Sequence, residues 1–115
     1  MSPILKIVQP SGILDGVSTN QLRREIIDII ENGANIVLVD FQDVTFINSA
    51  ALGALVSTLK LVRAAGAELV ICSLTEQVKM MFELTKMNRV FKIVVNRNEF
   101  EQKSGEEVSS QQSGV

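Results

Sequence analysis

Apolar runs of strand length alternate along this chain with stretches whose apolar residues recur at helical spacing. The first run, Ile4-Leu-Lys-Ile-Val8, is a short strand candidate. It leads into Gln9-Pro-Ser-Gly-Ile-Leu-Asp-Gly16, where turn formers surround Ile13 and Leu14. The strand therefore breaks near Pro10 and Gly12, with a short continuation through Ile13. From Ser18 to Asn32, Leu22, Ile26, Ile29 and Ile30 mark one face of a helix, and Arg23, Arg24, Glu25 and Asp28 lie largely off it. Ser18 reads as the N-cap, Val17 as a staple onto the first turn, and Asn32-Gly33 as the stop.

The second run, Asn35-Ile-Val-Leu-Val-Asp-Phe41, is continuously β-branched and apolar, which suits a strand buried on both faces of a parallel sheet. Asp43 and Val44 read as a brief turn before Thr45-Phe-Ile47. From about Ser49 to Ala65, Leu52, Leu55, Val56, Leu59 and Val62 form one helical stripe that Gly66 closes. Residues 67–74 form another buried strand. Ser73-Leu-Thr-Glu76 spells a capping box that would open a further helix with Val78, Met81, Phe82 and Thr85 on one face. Phe91-Lys-Ile-Val-Val95 is the last strand, followed by a short terminal helix with Phe100 as its docking residue. Strands and helices in alternation imply one α/β domain, with a mostly parallel sheet and right-handed crossovers. It spans residues 3–102, and residues 103–115, almost devoid of apolar side chains, form a polar tail.

Composition sharpens this picture by exclusion. With 115 residues at 46% hydrophobic and only five Phe, no Trp and no Tyr, the chain can bury one aliphatic core. A net charge of −2 without a basic cluster argues against a nucleic-acid surface. No segment reads as a membrane span or a signal peptide, so the expected compartment is the cytoplasm. The absence of histidine removes the usual base of serine hydrolases, and one cysteine, Cys72, allows neither an internal disulfide nor a structural zinc site. Neither glycine-rich phosphate loop is present. Asp15, Asp40 and Asp43 have the oxygen donors magnesium prefers, but a turn and a strand end account for them. The residues read as non-enzymatic, with no metal and no cofactor of their own.

What remains is Asn48-Ser-Ala-Ala-Leu-Gly53, the opening of the second helix. One reading is structural: the side-chain oxygen of Ser49, or that of Asn48, caps the helix, a contribution of about 0.5–2 kcal/mol. The other is a phosphorylation site at Ser49, because free amides and a partial positive charge at a helix start accommodate a phosphate without unfolding. Ala50, Ala51, Gly53 and Ala54 leave the first turns nearly bare, as close approach by another protein requires. Packing of this helix on its own sheet also favours small residues.

Residues 40–53, DFQDVTFINSAALG, resemble the signature of the STAS-domain family of anti-sigma factor antagonists, in which a strand ends in an Asp-Ser-containing loop that opens a helix. Residues 11–19, SGILDGVST, resemble its upstream Gly-x-Leu-Asp element, and residues 66–93 its downstream strand–helix–strand unit. The resemblance spans about residues 4–100. It implies a STAS-like α/β fold: a mixed, mostly parallel sheet of four to five strands with about four helices. It further implies a partner-switching antagonist that, unphosphorylated at Ser49, binds an anti-sigma factor that is also a serine kinase. The kinase supplies ATP and magnesium, and a PP2C-type phosphatase resets the switch. The partner-binding residues implied are Asp15, Asn48, Ser49, Ala50, Ala51 and Gly53, on a monomer or weak homodimer. Asn48 stands where the family has Asp; it keeps a capping acceptor but lacks the charge. The alternative is a STAS scaffold or ligand-sensing module in which Ser49 only caps.

Overall fold

The computed structural model describes residues 4–100. Six strands and three longer helices follow in the order β1 (Leu5–Val8), β2 (Ser11–Leu14), α1 (Gly16–Glu31), β3 (Ile36–Asp40), β4 (Asp43–Ile47), α2 (Ser49–Ala64), β5 (Glu68–Cys72), α3 (Glu76–Leu84) and β6 (Lys92–Val94). A 3₁₀ turn at Met87–Arg89 precedes β6, and residues 97–100 are again helical. The tail expected at 103–115 and the domain limit at 102 lie outside the described residues.

Strands β1, β3, β5 and β6 form a sheet in the order β1-β3-β5-β6, and β2 pairs with β4 in a second ladder. Every pairing among the described residues is parallel. The two ladders are one strand pair bent twice. β1 runs beside β3 from Leu5–Ile36 to Val8–Val39; both chains turn a corner and pair again as Ser11–Asp43. A register shift then separates Gly12–Val44 from Ile13–Phe46, and Gly12 takes the left-handed φ of 75° there. Asp43 and Val44, read as a turn, thus lie within β4. The bend falls earlier, at Phe41-Gln42, where the Asp40 carboxylate accepts the Gln42 amide at 2.9 Å.

Strand alternation sends side chains to opposite faces of the main sheet. Val37, Val39, Leu69 and Ile71 join Leu22 and Ile26 of α1 and Leu52, Leu55, Leu59 and Val62 of α2 in the larger core. Phe82 lies at its centre, edge-on to Phe41 and Phe91 with ring centroids 6.2 and 5.7 Å away. Leu38, Val70, Cys72 and Val94 face the other way and pack with Phe100, which docks as its apolar character requires. Each fully buried Leu or Ile in these stripes contributes roughly 1.5–3 kcal/mol. Burial raises the Cys72 thiol above its ordinary value of 9.0, so it stays protonated and inert at neutral pH.

Candidate functional site

The bent strand pair delivers two helix starts side by side. Leu14 and Ile47 are paired at the ends of β2 and β4, and the Asn48 amide donates to the Leu14 carbonyl at 3.2 Å. After one cap residue each, α1 begins at Gly16 and α2 at Ser49. A methyl group placed on Gly16 would stand 3.5 Å from the Ala50 methyl, an ordinary contact, so the two first turns touch.

Asp15, not Ser18, caps α1. Its Oδ1 accepts from the Ser18 amide at 2.8 Å and from the Ser18 hydroxyl at 3.0 Å, and Ser18 Oγ accepts the Asp15 amide at 2.9 Å. This is a reciprocal capping box with serine at its third helical position. The Ser18 amide and hydroxyl hold the Asp15 carboxyl below its ordinary value of 3.8, so it is ionised at neutral pH. With the cap moved back to Asp15, Val17 is not a staple: it sits inside the first turn and is 70% exposed.

Asn48 caps α2. Its Oδ1 accepts the Ala51 amide at 2.9 Å. Ser49 is therefore the first helical residue rather than the cap, and it is exposed. Among the described residues its hydroxyl has no hydrogen-bond partner, and neither its amide nor that of Ala50 is bonded. Ala50 and Gly53 are also exposed, and a methyl placed on Gly53 would meet nothing within 4 Å. Ala51 differs: it is fully buried, with its methyl in the larger core and its amide spent on Asn48. The structure thus gathers Asp15, Asn48, Ser49, Ala50 and Gly53 at one surface and turns Ala51 inward.

The three aspartates considered for magnesium are each engaged elsewhere. Asp15 caps α1, Asp43 accepts from Gln9 Nε2 at 2.8 Å, and Asp40 pairs with Arg97. No cluster of metal-ligating side chains occurs among the described residues. None of the described helices is long and apolar enough to cross a membrane.

One element of the surface escaped the sequence. Ile13 and Phe46 are register partners on the β2–β4 ladder, and both are exposed. Phe46 also lines an apolar groove of about 270 Å³ with Ile47, Gln77, Met80, Met81 and Leu84. Met80 and Leu84 are 58% and 74% exposed. Phe46 and Ile47 lead directly into the Ser49 loop, and no charged residue interrupts the chain from Val44 to Leu59. The groove's signal was present in the sequence: Met80 and Leu84 are spaced i, i+4 off the buried stripe of Val78 and Phe82.

The described residues thus form a parallel α/β domain whose paired strand ends present a bare helix start at Ser49. The family model of the STAS domain matches residues 2–100, and the chain belongs to that family. It is 29% identical over 86 residues to the anti-sigma-B factor antagonist of Bacillus subtilis, covering 75% of this chain and 78% of that one. The structure of TM1081 from Thermotoga maritima superimposes with a TM-score of 0.76 at 25% identity, covering 86% of each chain. The anti-sigma factor antagonist SpoIIAA in its unphosphorylated form gives 0.71 at 14% identity, over 90% of this chain and 91% of that one. At that identity the likeness is one of fold.

Proposed function

We propose that this chain is an anti-sigma factor antagonist, a protein-binding switch controlled by phosphorylation of Ser49. One observation carries the reading. Asn48 performs the capping that Ser49 was a candidate for, which leaves the Ser49 hydroxyl exposed and unpartnered at the first position of α2. A serine with no structural task, at a helix start with free amides, is available to a kinase and can hold a phosphate without disturbing the fold.

Unphosphorylated, the small residues Ala50 and Gly53 let a partner approach the first turns of α2 closely. The strip of Ile13, Phe46, Met80 and Leu84 beside them has the character of an interaction face. The partner is an anti-sigma factor that is also a serine kinase and brings its own ATP and magnesium. Phosphorylation adds about −1.5 to −2 charges to a helix start that carries no charged side chain of its own. It sets them near the ionised Asp15, at the adjoining helix start, so the bound partner is released. A PP2C-type phosphatase restores binding. The names of the similar proteins support this reading: one is an anti-sigma-B factor antagonist, and SpoIIAA is described in both an unphosphorylated and a phosphorylated form.

Capture from the native lysate tests it, with Ser49→Ala and Ser49→Asp as paired baits. The expected result is an ATP-binding anti-sigma factor retained by Ser49→Ala and lost with Ser49→Asp. Equal capture by both would overturn the switch. The alternative, a ligand-sensing or scaffold module, has one observation in its favour. A hollow of about 580 Å³ lined by residues such as Leu74, Lys79, Asn88 and Glu99 lies apart from the Ser49 loop. Equal capture would direct attention there.

A further inference from the structure

The C-terminal end of β3 carries a buried charge that the switch mechanism leaves unused. Asp40, 1% exposed, ends β3 and divides its carboxylate between two tasks. Oδ1 accepts the Gln42 amide at 2.9 Å and so forms the corner between β3 and β4. Oδ2 accepts from Arg97 Nε at 2.5 Å, in the helical segment at 97–100. Arg97 also donates through Nη2 to Gln9 Oε1 at 2.5 Å, and Gln9 Nε2 donates to Asp43 Oδ2 at 2.8 Å. The result is a chain of contacts joining the end of β1, both sides of the β3–β4 corner and the C-terminal helix. Phe100, three residues after Arg97, is 6% exposed and seats the same helix on Leu38, Val70, Cys72 and Val94.

We infer that Asp40 is a positioning residue that ties the seating of the C-terminal helix to the posture of the Ser49 loop. While Arg97 is in place, the buried carboxylate is compensated and both its oxygens are engaged. When the helix lifts, the carboxylate loses its cation, and an uncompensated charge at that depth is strongly disfavoured. It turns toward water and gives up the Gln42 amide. The Gln9–Asp43 contact loses its anchor at the same time. Both of these side-chain ties at the start of β4 then loosen, with the Val44 amide still on the Phe41 carbonyl, and from Asp43 β4 leads in five residues to Asn48, the cap of α2. The helix at 97–100 is thereby a second input to the site. The use of this input in regulation rests on reading Ser49 as the switch; the coupling itself does not.

Amide hydrogen exchange on the full-length chain tests the coupling. In Arg97→Gln, exchange at residues 42–52 should rise about five- to tenfold relative to Leu69–Ile71, whose central-strand amides report global opening. Phe100→Ala, which leaves every member of the network intact but unseats the helix, should give the same pattern. The double variant Asp40→Asn/Arg97→Gln should restore residues 42–52 in part, because a neutral amide keeps the acceptor for Gln42 and needs no cation, while the Gln9–Asp43 contact stays without its anchor. Exchange that rises only at 95–100, or equally in β5, or that the double variant does not restore even in part, would overturn the inference. Ser49 phosphorylation in native lysate with magnesium and ATP, followed on the same variants, separates the two ideas. Loop exchange that responds while Ser49 is never modified upholds the coupling and defeats the switch. Loop exchange that does not respond defeats the coupling even if Ser49 is modified.

Discussion

The starts of α1 and α2 are near-equivalents built for different ends. Each follows a strand of the same bent pair, each is capped by the residue after that strand, and their first turns touch. At α1 the cap is charged and reciprocated: Asp15 takes the Ser18 amide and hydroxyl, and Ser18 takes the Asp15 amide. At α2 the cap is neutral and unreciprocated. Asn48 takes one amide, and the serine beside it is left exposed. The first terminus is closed by its own side chains. The second leaves its serine hydroxyl and two amides unbonded among the described residues. At α1 the cap and the serine are bonded to each other, whereas at α2 the cap residue is separable from the serine, so Asn48 and Ser49 can be perturbed one at a time.

The comparison can be broken hardest from underneath. Ala51 is fully buried below the α2 start, so Ala51→Leu overpacks the core and should cost about 1–3 kcal/mol, measured by urea unfolding. Removing the cap itself, Asn48→Ala, leaves the Ala51 amide without its acceptor and should cost about 0.5–2 kcal/mol in the same assay.

At α1 the signature is a pH dependence. The folded Asp15 carboxyl titrates below its unfolded value of 3.8, so its contribution to stability is present above that value and is lost as pH falls through the folded one. Asp15→Asn should therefore lower the urea midpoint more at pH 7 than at pH 3. An equal deficit at both would mean that the charge is immaterial. The smallest expected effect is the most informative: Ser49→Ala should change stability by less than about 0.5 kcal/mol, as for surface sites without a structural role. A loss as large as that of Asn48→Ala would return Ser49 to the role of a cap.

The alternation of buried runs and helical stripes was legible because burial on both faces leaves an uninterrupted β-branched signal at residues 35–41 and 67–74. Gly33 and Gly66 marked the ends of α1 and α2 and take the left-handed φ values of 108° and 78° that favour glycine there. What the sequence hid depends on long-range partners. The β3–β4 corner contains neither Gly nor Pro; it is held by the Asp40 carboxylate on the Gln42 amide and by the Val44 amide on the Phe41 carbonyl, with Asp40 itself compensated from afar by Arg97. The expected Ser73–Glu76 capping box does not form. Ser73 sits at a φ of 61°, and Thr75, at the cap position, donates its hydroxyl to the Val44 carbonyl 31 residues away at 3.1 Å. Asp15 and Ser18 are both good capping residues, and only the direction of the chain leaving β2 decides between them. At the site, Ser49 and its neighbours stood out by what they lack. Phe46 and Ile13 did not, because alternation shows that a strand has two faces and not which of them is left uncovered.

The central claim is that Ser49 is the residue this loop presents. Incubation of the purified chain with native lysate, magnesium and ATP, followed by tandem mass spectrometry, tests it most directly. The account predicts a single phosphate on Ser49 and none incorporated by Ser49→Ala. Phosphate on another residue with Ser49 unmodified, or equal incorporation by the two proteins, would contradict it.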